Sequence, residues 1–82
     1  MTRTEIYLKL KELLQGVYPL AAERMESGSE QSLLVDDLGM DSIGLLCMVI
    51  TIEEAFGVDF EGTSLKDFTT VKSVIDYIQK CM

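Results

Sequence analysis

The sequence predicts an all-α bundle of three main helices, with a long first loop and a short helix or turn in the second connection. Three separate runs repeat apolar residues at helical spacing, each bounded by capping or helix-breaking residues. No run sustains the alternation of a β-strand, and no internal repeat is visible. The 82 residues allow one modest core, so these helices share it within a single domain, residues 1–82.

The first helix is expected from about Thr2 to Gly16. Thr2 and Glu5 have the spacing of a capping box, and Ile6, Leu10, Leu13, Leu14 and Val17 form one apolar face. Gly16 and Pro19 mark its end, because proline disfavours a helical residue before it. Residues 20–39 read as a loop anchored by Leu33, Leu34, Val35 and Leu38, with a helical turn near Leu20 to Met25 as one possibility. A loop of that length in a small domain is usually functional. The second helix runs from Ser42 to Phe56: Leu45, Met48, Val49, Ile52 and Phe56 share a face, and Gly57 is the natural stop. Phe60 to Phe68 forms the second connection, with Leu65 and Phe68 as anchors and a short turn from Ser64. Thr69 and Thr70 can cap the last helix, whose face is Val71, Val74, Ile75 and Ile78.

Charge narrows the function. The formal net charge is −7, and between Met25 and Leu65 there are nine acids and no lysine or arginine. The remaining residues are slightly basic. An acidic chain repels nucleic-acid and anionic membrane surfaces, so neither is expected as a partner. The longest unbroken apolar run, Leu45 to Ile50, is too short to span a bilayer, and no signal-peptide pattern is present. Two cysteines make no disulfide framework, and a cytoplasmic setting is expected. Histidine is absent, which removes the commonest general base and neutral metal ligand. No catalytic residue and no metal site are expected. A calcium loop from Asp36, Asp37 and Asp41 lacks the required spacing, glycine and bidentate glutamate.

The second helix carries more apolar surface than a core needs. Eight of the 11 residues from Ser42 to Ile52 are apolar, and Ile43, Leu46, Cys47 and Ile50 make a second stripe. Either the helix is central and nearly surrounded, or this stripe is an exposed partner face. Ser42 opens the helix after Gly39-Met40-Asp41. It can act as a plain N-cap, or its hydroxyl can carry a phosphate stabilised by the helix N-terminus, with Asp41 beside it.

The run Asp36-Asp37-Leu38-Gly39-Met40-Asp41-Ser42-Ile43 resembles the modification motif of acyl carrier proteins, LGxDSL. The resemblance continues through Glu53-Glu54-Ala55-Phe56-Gly57, Phe68-Thr69-Thr70-Val71 and Ile75-Asp76-Tyr77-Ile78, covering nearly the whole chain at the length of a free-standing carrier. It implies an acyl-carrier-like fold and a non-catalytic carrier, a monomer. A phosphopantetheinyl transferase would attach 4′-phosphopantetheine from coenzyme A to Ser42, and the arm would present acyl groups as thioesters to loading and processing enzymes of fatty-acid or polyketide-like biosynthesis. Tethering raises the effective concentration of the acyl group at a docked enzyme. Partner docking would fall on Ile43, Leu46, Cys47, Ile50, Glu53 and Glu54, against basic or apolar surfaces. An acyl pocket would be lined by Met48, Val49, Ile52, Phe56 and Leu65, which also serve as core.

The sequence departs from the family pattern on the second helix, where acids usual two and five residues after the serine are replaced by Gly44 and Cys47. These changes point to a specialised carrier with a dedicated partner. Cys47 has no adjacent base and is expected to be inert and partly buried; Cys81 is incidental. Two alternatives stay open: a peptidyl or D-alanyl carrier loaded by an adenylating enzyme, and a cofactor-free helical adaptor that uses only the apolar stripe.

Overall fold

The computed structural model describes residues 1–60 and 68–81. Among the described residues four helices follow one another: α1 Arg3–Val17, α2 Pro19–Ser27, α3 Ser42–Phe56 and α4 Val71–Cys81. The expected turn from Ser64 and the anchor Leu65 lie outside the described residues.

In α1 the reciprocal Thr2–Glu5 capping box is formed, with Thr2 accepting from the Glu5 amide at 3.1 Å and Glu5 accepting from the Thr2 amide at 2.8 Å. These bonds hold the Glu5 carboxyl below its ordinary range. Ile6, Leu10 and Leu14 are fully buried, whereas Leu13 is half-buried and Val17 exposed. The expected face narrows at its end because the chain turns away at Tyr18, whose amide closes the helix on the Leu14 carbonyl.

The loop expected from residue 20 is corrected by α2. Pro19 does not merely end α1. It occupies the first turn of α2, where its missing N–H costs nothing and its fixed φ suits the helix. This helix buries Ala21, Ala22 and Met25. Small alanines gave its face little sequence contrast, so only a turn was foreseen.

The remaining connection is a folded loop rather than an extended one. Leu34, Leu38 and Met40 are buried, while Leu33 and Val35, expected as anchors, are exposed. The loop also organises α4. Leu33 and Thr70 form an isolated antiparallel bridge, and the first-turn amides of α4, at Val71 and Lys72, donate to the carbonyls of Ser32 and Glu30. Thr70 caps the same end, accepting from the Ser73 amide at 3.2 Å. Loop and helix thus satisfy each other's backbone groups.

The core gathers the apolar faces of all four helices with Val58, Phe60 and Phe68. Burying each leucine or isoleucine contributes about 1.5–3 kcal/mol. Phe60 stacks on Tyr77 at 4.6 Å, and Phe68 meets both edge-on. At the surface Arg3 reaches Glu30 in the loop and Asp76 and Gln79 on α4. The Lys72 ammonium, and then Arg3, hold the Asp76 carboxyl below its usual range.

Candidate functional site

The loop delivers the chain to α3 through Gly39, whose φ of +74° lies in the left-handed region open to glycine. Its amide bonds the Val35 carbonyl at 3.1 Å, and the next residue, Met40, drives a buried side chain into the core as a peg. Asp41 then takes an extended conformation and caps α3, its Oδ1 accepting from the Gly44 amide at 2.7 Å. Capping therefore falls to Asp41, and the expected cap role of Ser42 is corrected. Ser42 is the first helical residue and is exposed. With the cap supplied by its neighbour, the Ser42 side chain is not needed to start the helix.

Ser42 stands at the edge of a cleft of about 420 Å³. The cleft is bordered by Leu33, Val35 and Asp36 of the loop, Ser42 and Leu45 of α3, and Phe68 and Thr69 before α4. Its walls are mainly apolar, and the Leu33–Thr70 bridge ties its two loop margins together. Sequence reasoning missed Leu33, Val35, Leu45 and Phe68 as cleft residues, because the cleft arises from two distant loops brought side by side.

The described residues of the expected acyl pocket do not line this cleft. Met48, Val49 and Ile52 are buried in the core and do not border this cleft. Phe56 is half-buried at the far end of α3, where the Lys9 ammonium lies 4.8 Å from its ring centroid. Leu65 lies outside the described residues.

The second stripe of α3 turns outward. Ile43 is 73% exposed, Leu46 50% and Ile50 47%, with Cys47 half-buried among them. Of the two expected docking acids, Glu54 is exposed, but Glu53 turns back to accept from the Phe60 amide at 3.0 Å. Glu53 thus ties the end of α3 to the following chain. Among the described residues, no three acidic or cysteine side chains converge as a metal site, and no helix is long and apolar enough to cross a membrane.

Comparison with known proteins agrees with this geometry. Residues 9–78 match the family model described as phosphopantetheine attachment site. The chain is 33% identical over 79 residues to an acyl carrier protein of Coprothermobacter proteolyticus, covering 96% of this chain and 93% of that protein. It is 32% identical to an acyl carrier protein of Thermotoga maritima, over 96% of this chain and 94% of the relative. A third, from Desulforapulum autotrophicum, is 37% identical over 87% of this chain and 84% of its own length. Matches of this extent cover nearly the whole chain, and the chain belongs to the acyl carrier proteins, non-catalytic carriers with a covalently attached 4′-phosphopantetheine.

Proposed function

We propose that Ser42 is the attachment residue, and that the carrier delivers acyl thioesters to dedicated enzymes of a specialised pathway within fatty-acid or polyketide-like biosynthesis. The observation that carries the first part is the position of Ser42: exposed, first in α3, and at the mouth of an apolar cleft. A phosphodiester there would meet the unpaired amides and the positive dipole end of α3. The arm, when attached, supplies a terminal thiol for acyl groups. The chain's own contribution is to expose the hydroxyl, hold its turn still, and offer the cleft to an apolar chain. Asp36 at the cleft margin suits the basic groups of an approaching transferase.

The second part rests on α3. Its exposed centre is apolar and without charge from Ser42 to Ile52, so recognition there is by apolar contact. A partner built for an acid-lined helix would find no ion pairs to make between Ser42 and Ile52. This supports a dedicated partner.

The test is modification of the apo protein by a broad-specificity phosphopantetheinyl transferase and coenzyme A, read by intact mass. Wild-type protein should gain one phosphopantetheine, and Ser42→Ala should gain none while melting as wild type does, since Asp41 holds the cap. An unmodified wild type, or a modified Ser42→Ala, would overturn the assignment. Loading assays with acyl and aminoacyl groups then separate an acyl carrier from a peptidyl or D-alanyl one.

A further inference from the structure

We infer that Tyr18 is a positioning residue for modification of Ser42, an inference that rests on Ser42 being the attachment site. Tyr18 lies far from the motif in sequence, at the junction of α1 and α2. Yet it touches the attachment segment on both sides of Ser42. Its hydroxyl donates to the Gly39 carbonyl at 3.1 Å, within the left-handed turn before the serine. Its ring lies over Gly44, in the first turn after the serine. A Cβ built on Gly44 would come within 2.9 Å of the ring's Cε2 and 3.3 Å of its Cδ2.

These contacts explain why glycine stands where the family pattern carries an acid. Any side chain at that position must push the ring aside, and the ring is held by its hydroxyl on Gly39. The amide of Gly44 is also the one that the Asp41 carboxylate caps at 2.7 Å. One aromatic side chain therefore braces the turn, the cap and the first helical turn together. The serine hydroxyl is the nucleophile in phosphopantetheinyl transfer: its oxygen forms the new bond to phosphorus, its proton goes to a base of the transferase, and 3′,5′-adenosine bisphosphate leaves. A nucleophile held in one geometry reacts faster than one sampling several. The proposed docking residues Leu46 and Ile50 lie beyond the braced turn, so loosening it should act on kcat more than on KM.

The experiment measures initial rates of phosphopantetheine transfer against apo-carrier concentration at 20 °C. The variants are Tyr18→Phe, Gly44→Ala, Tyr18→Leu, the double Tyr18→Leu/Gly44→Ala, and a core control, Ile75→Val. Tyr18→Phe keeps the ring and removes the hydroxyl, and is expected to lower kcat by about three- to tenfold with KM little changed. Gly44→Ala should lower kcat at least as much. In the Tyr18→Leu background the same Gly44→Ala change should cost less than in wild type, because the ring is gone and only the close approach of the added Cβ to Asp41 Oδ1, at 3.3 Å, remains. Ile75→Val, folded at 20 °C but with a lowered Tm, should keep wild-type kcat. Amide NMR shifts of Asp41, Ser42 and Gly44 should move in Tyr18→Phe while those of α4 stay. Wild-type kcat in Tyr18→Phe, an equal loss in Ile75→Val, or additive effects in the double variant would overturn the inference. An unmodified wild type would overturn the attachment assignment as well, and is distinguishable because it precedes any variant.

Discussion

Asp41 offers the sharpest separation of structure from recognition, because one carboxylate holds a helix cap and a charge at the same place. Replacing it by alanine removes the acceptor of the Gly44 amide at 2.7 Å and leaves that amide without its side-chain partner. Loss of such a cap costs about 0.5–2 kcal/mol, typically near 1. For a domain of this size, 1 kcal/mol lowers Tm by about 4–8 °C. Asparagine caps as well as aspartate and carries no charge. Asp41→Asn should therefore melt close to wild type, while Asp41→Ala melts about 4–8 °C lower. Calorimetry of the apo proteins at pH 7 reads this difference. If both variants lose stability equally, the charge at the N-terminus of α3 matters and the hydrogen bond does not. If neither loses any, the capping role is wrong. A fall in transferase kcat/KM for Asp41→Asn at unchanged Tm would then measure the charge alone.

Three further outcomes are expected. The carboxyls of Glu5, bonded first by the Thr2 amide, and of Asp76, bonded first by Lys72, are held below their ordinary range, so their stabilisation is present above roughly pH 4–4.5 and is lost as pH falls through their folded values. Melting of a Glu5→Gln/Asp76→Asn variant should start lower at pH 7 and fall less toward pH 3 than that of wild type; parallel curves would refute the linkage. Gly57 closes α3 at φ +69° with open space around it, so Gly57→Ala should cost about 1–2 kcal/mol in urea denaturation through backbone strain alone, and Gly57→Asn less. Leu46→Asp, on the exposed stripe, should leave Tm nearly unchanged yet weaken carrier–partner binding measured by calorimetric titration more than raising salt from 0.05 to about 0.5 M does; a stronger effect of salt would refute apolar docking.

What the sequence made legible follows from how each feature is encoded. Helices α3 and α4 are legible as elements, because their buried faces are large aliphatic residues, Gly57 closes α3 and threonine precedes α4. Helix α2 is not, because Ala21 and Ala22 bury with little sequence contrast and Pro19 suits the end of one helix as well as the start of the next. Assigning the cap between Asp41 and Ser42 was beyond pattern reading, since both residue types cap and only the backbone angles decide. The cleft was hidden for a different reason. Leu33, Val35 and Phe68 meet through pairing of two loops, and no local period encodes that pairing. Tyr18 carries no local signal either, and Gly44, read from sequence only as a departure from the family pattern, does not disclose the ring packed against it.

The acidic middle of the chain also changes meaning once its partners are in place. Arg3 pairs with Glu30 and Lys11 with Glu26 at 3.1 Å, so the basic first helix neutralises the nearer acids. Arg24 donates to the Asp37 carbonyl at 3.2 Å, bringing a cation against the turn that leads to Ser42. Glu53 is occupied by the Phe60 amide. Among the described residues, the exposed acids flanking α3 include Asp36, Asp37 and Asp41 at its start and Glu54 near its end. Asp41 and Glu54 are separated by about 20 Å along the helix at 1.5 Å per residue. That is roughly two Debye lengths at physiological salt, so the two ends act as separate charges rather than as one field. Between them lies the apolar stripe of Ile43, Leu46 and Ile50. If partners dock on α3 as proposed, charge would guide a basic one toward either end of the helix, and the energy of the final contact would come from the uncharged centre.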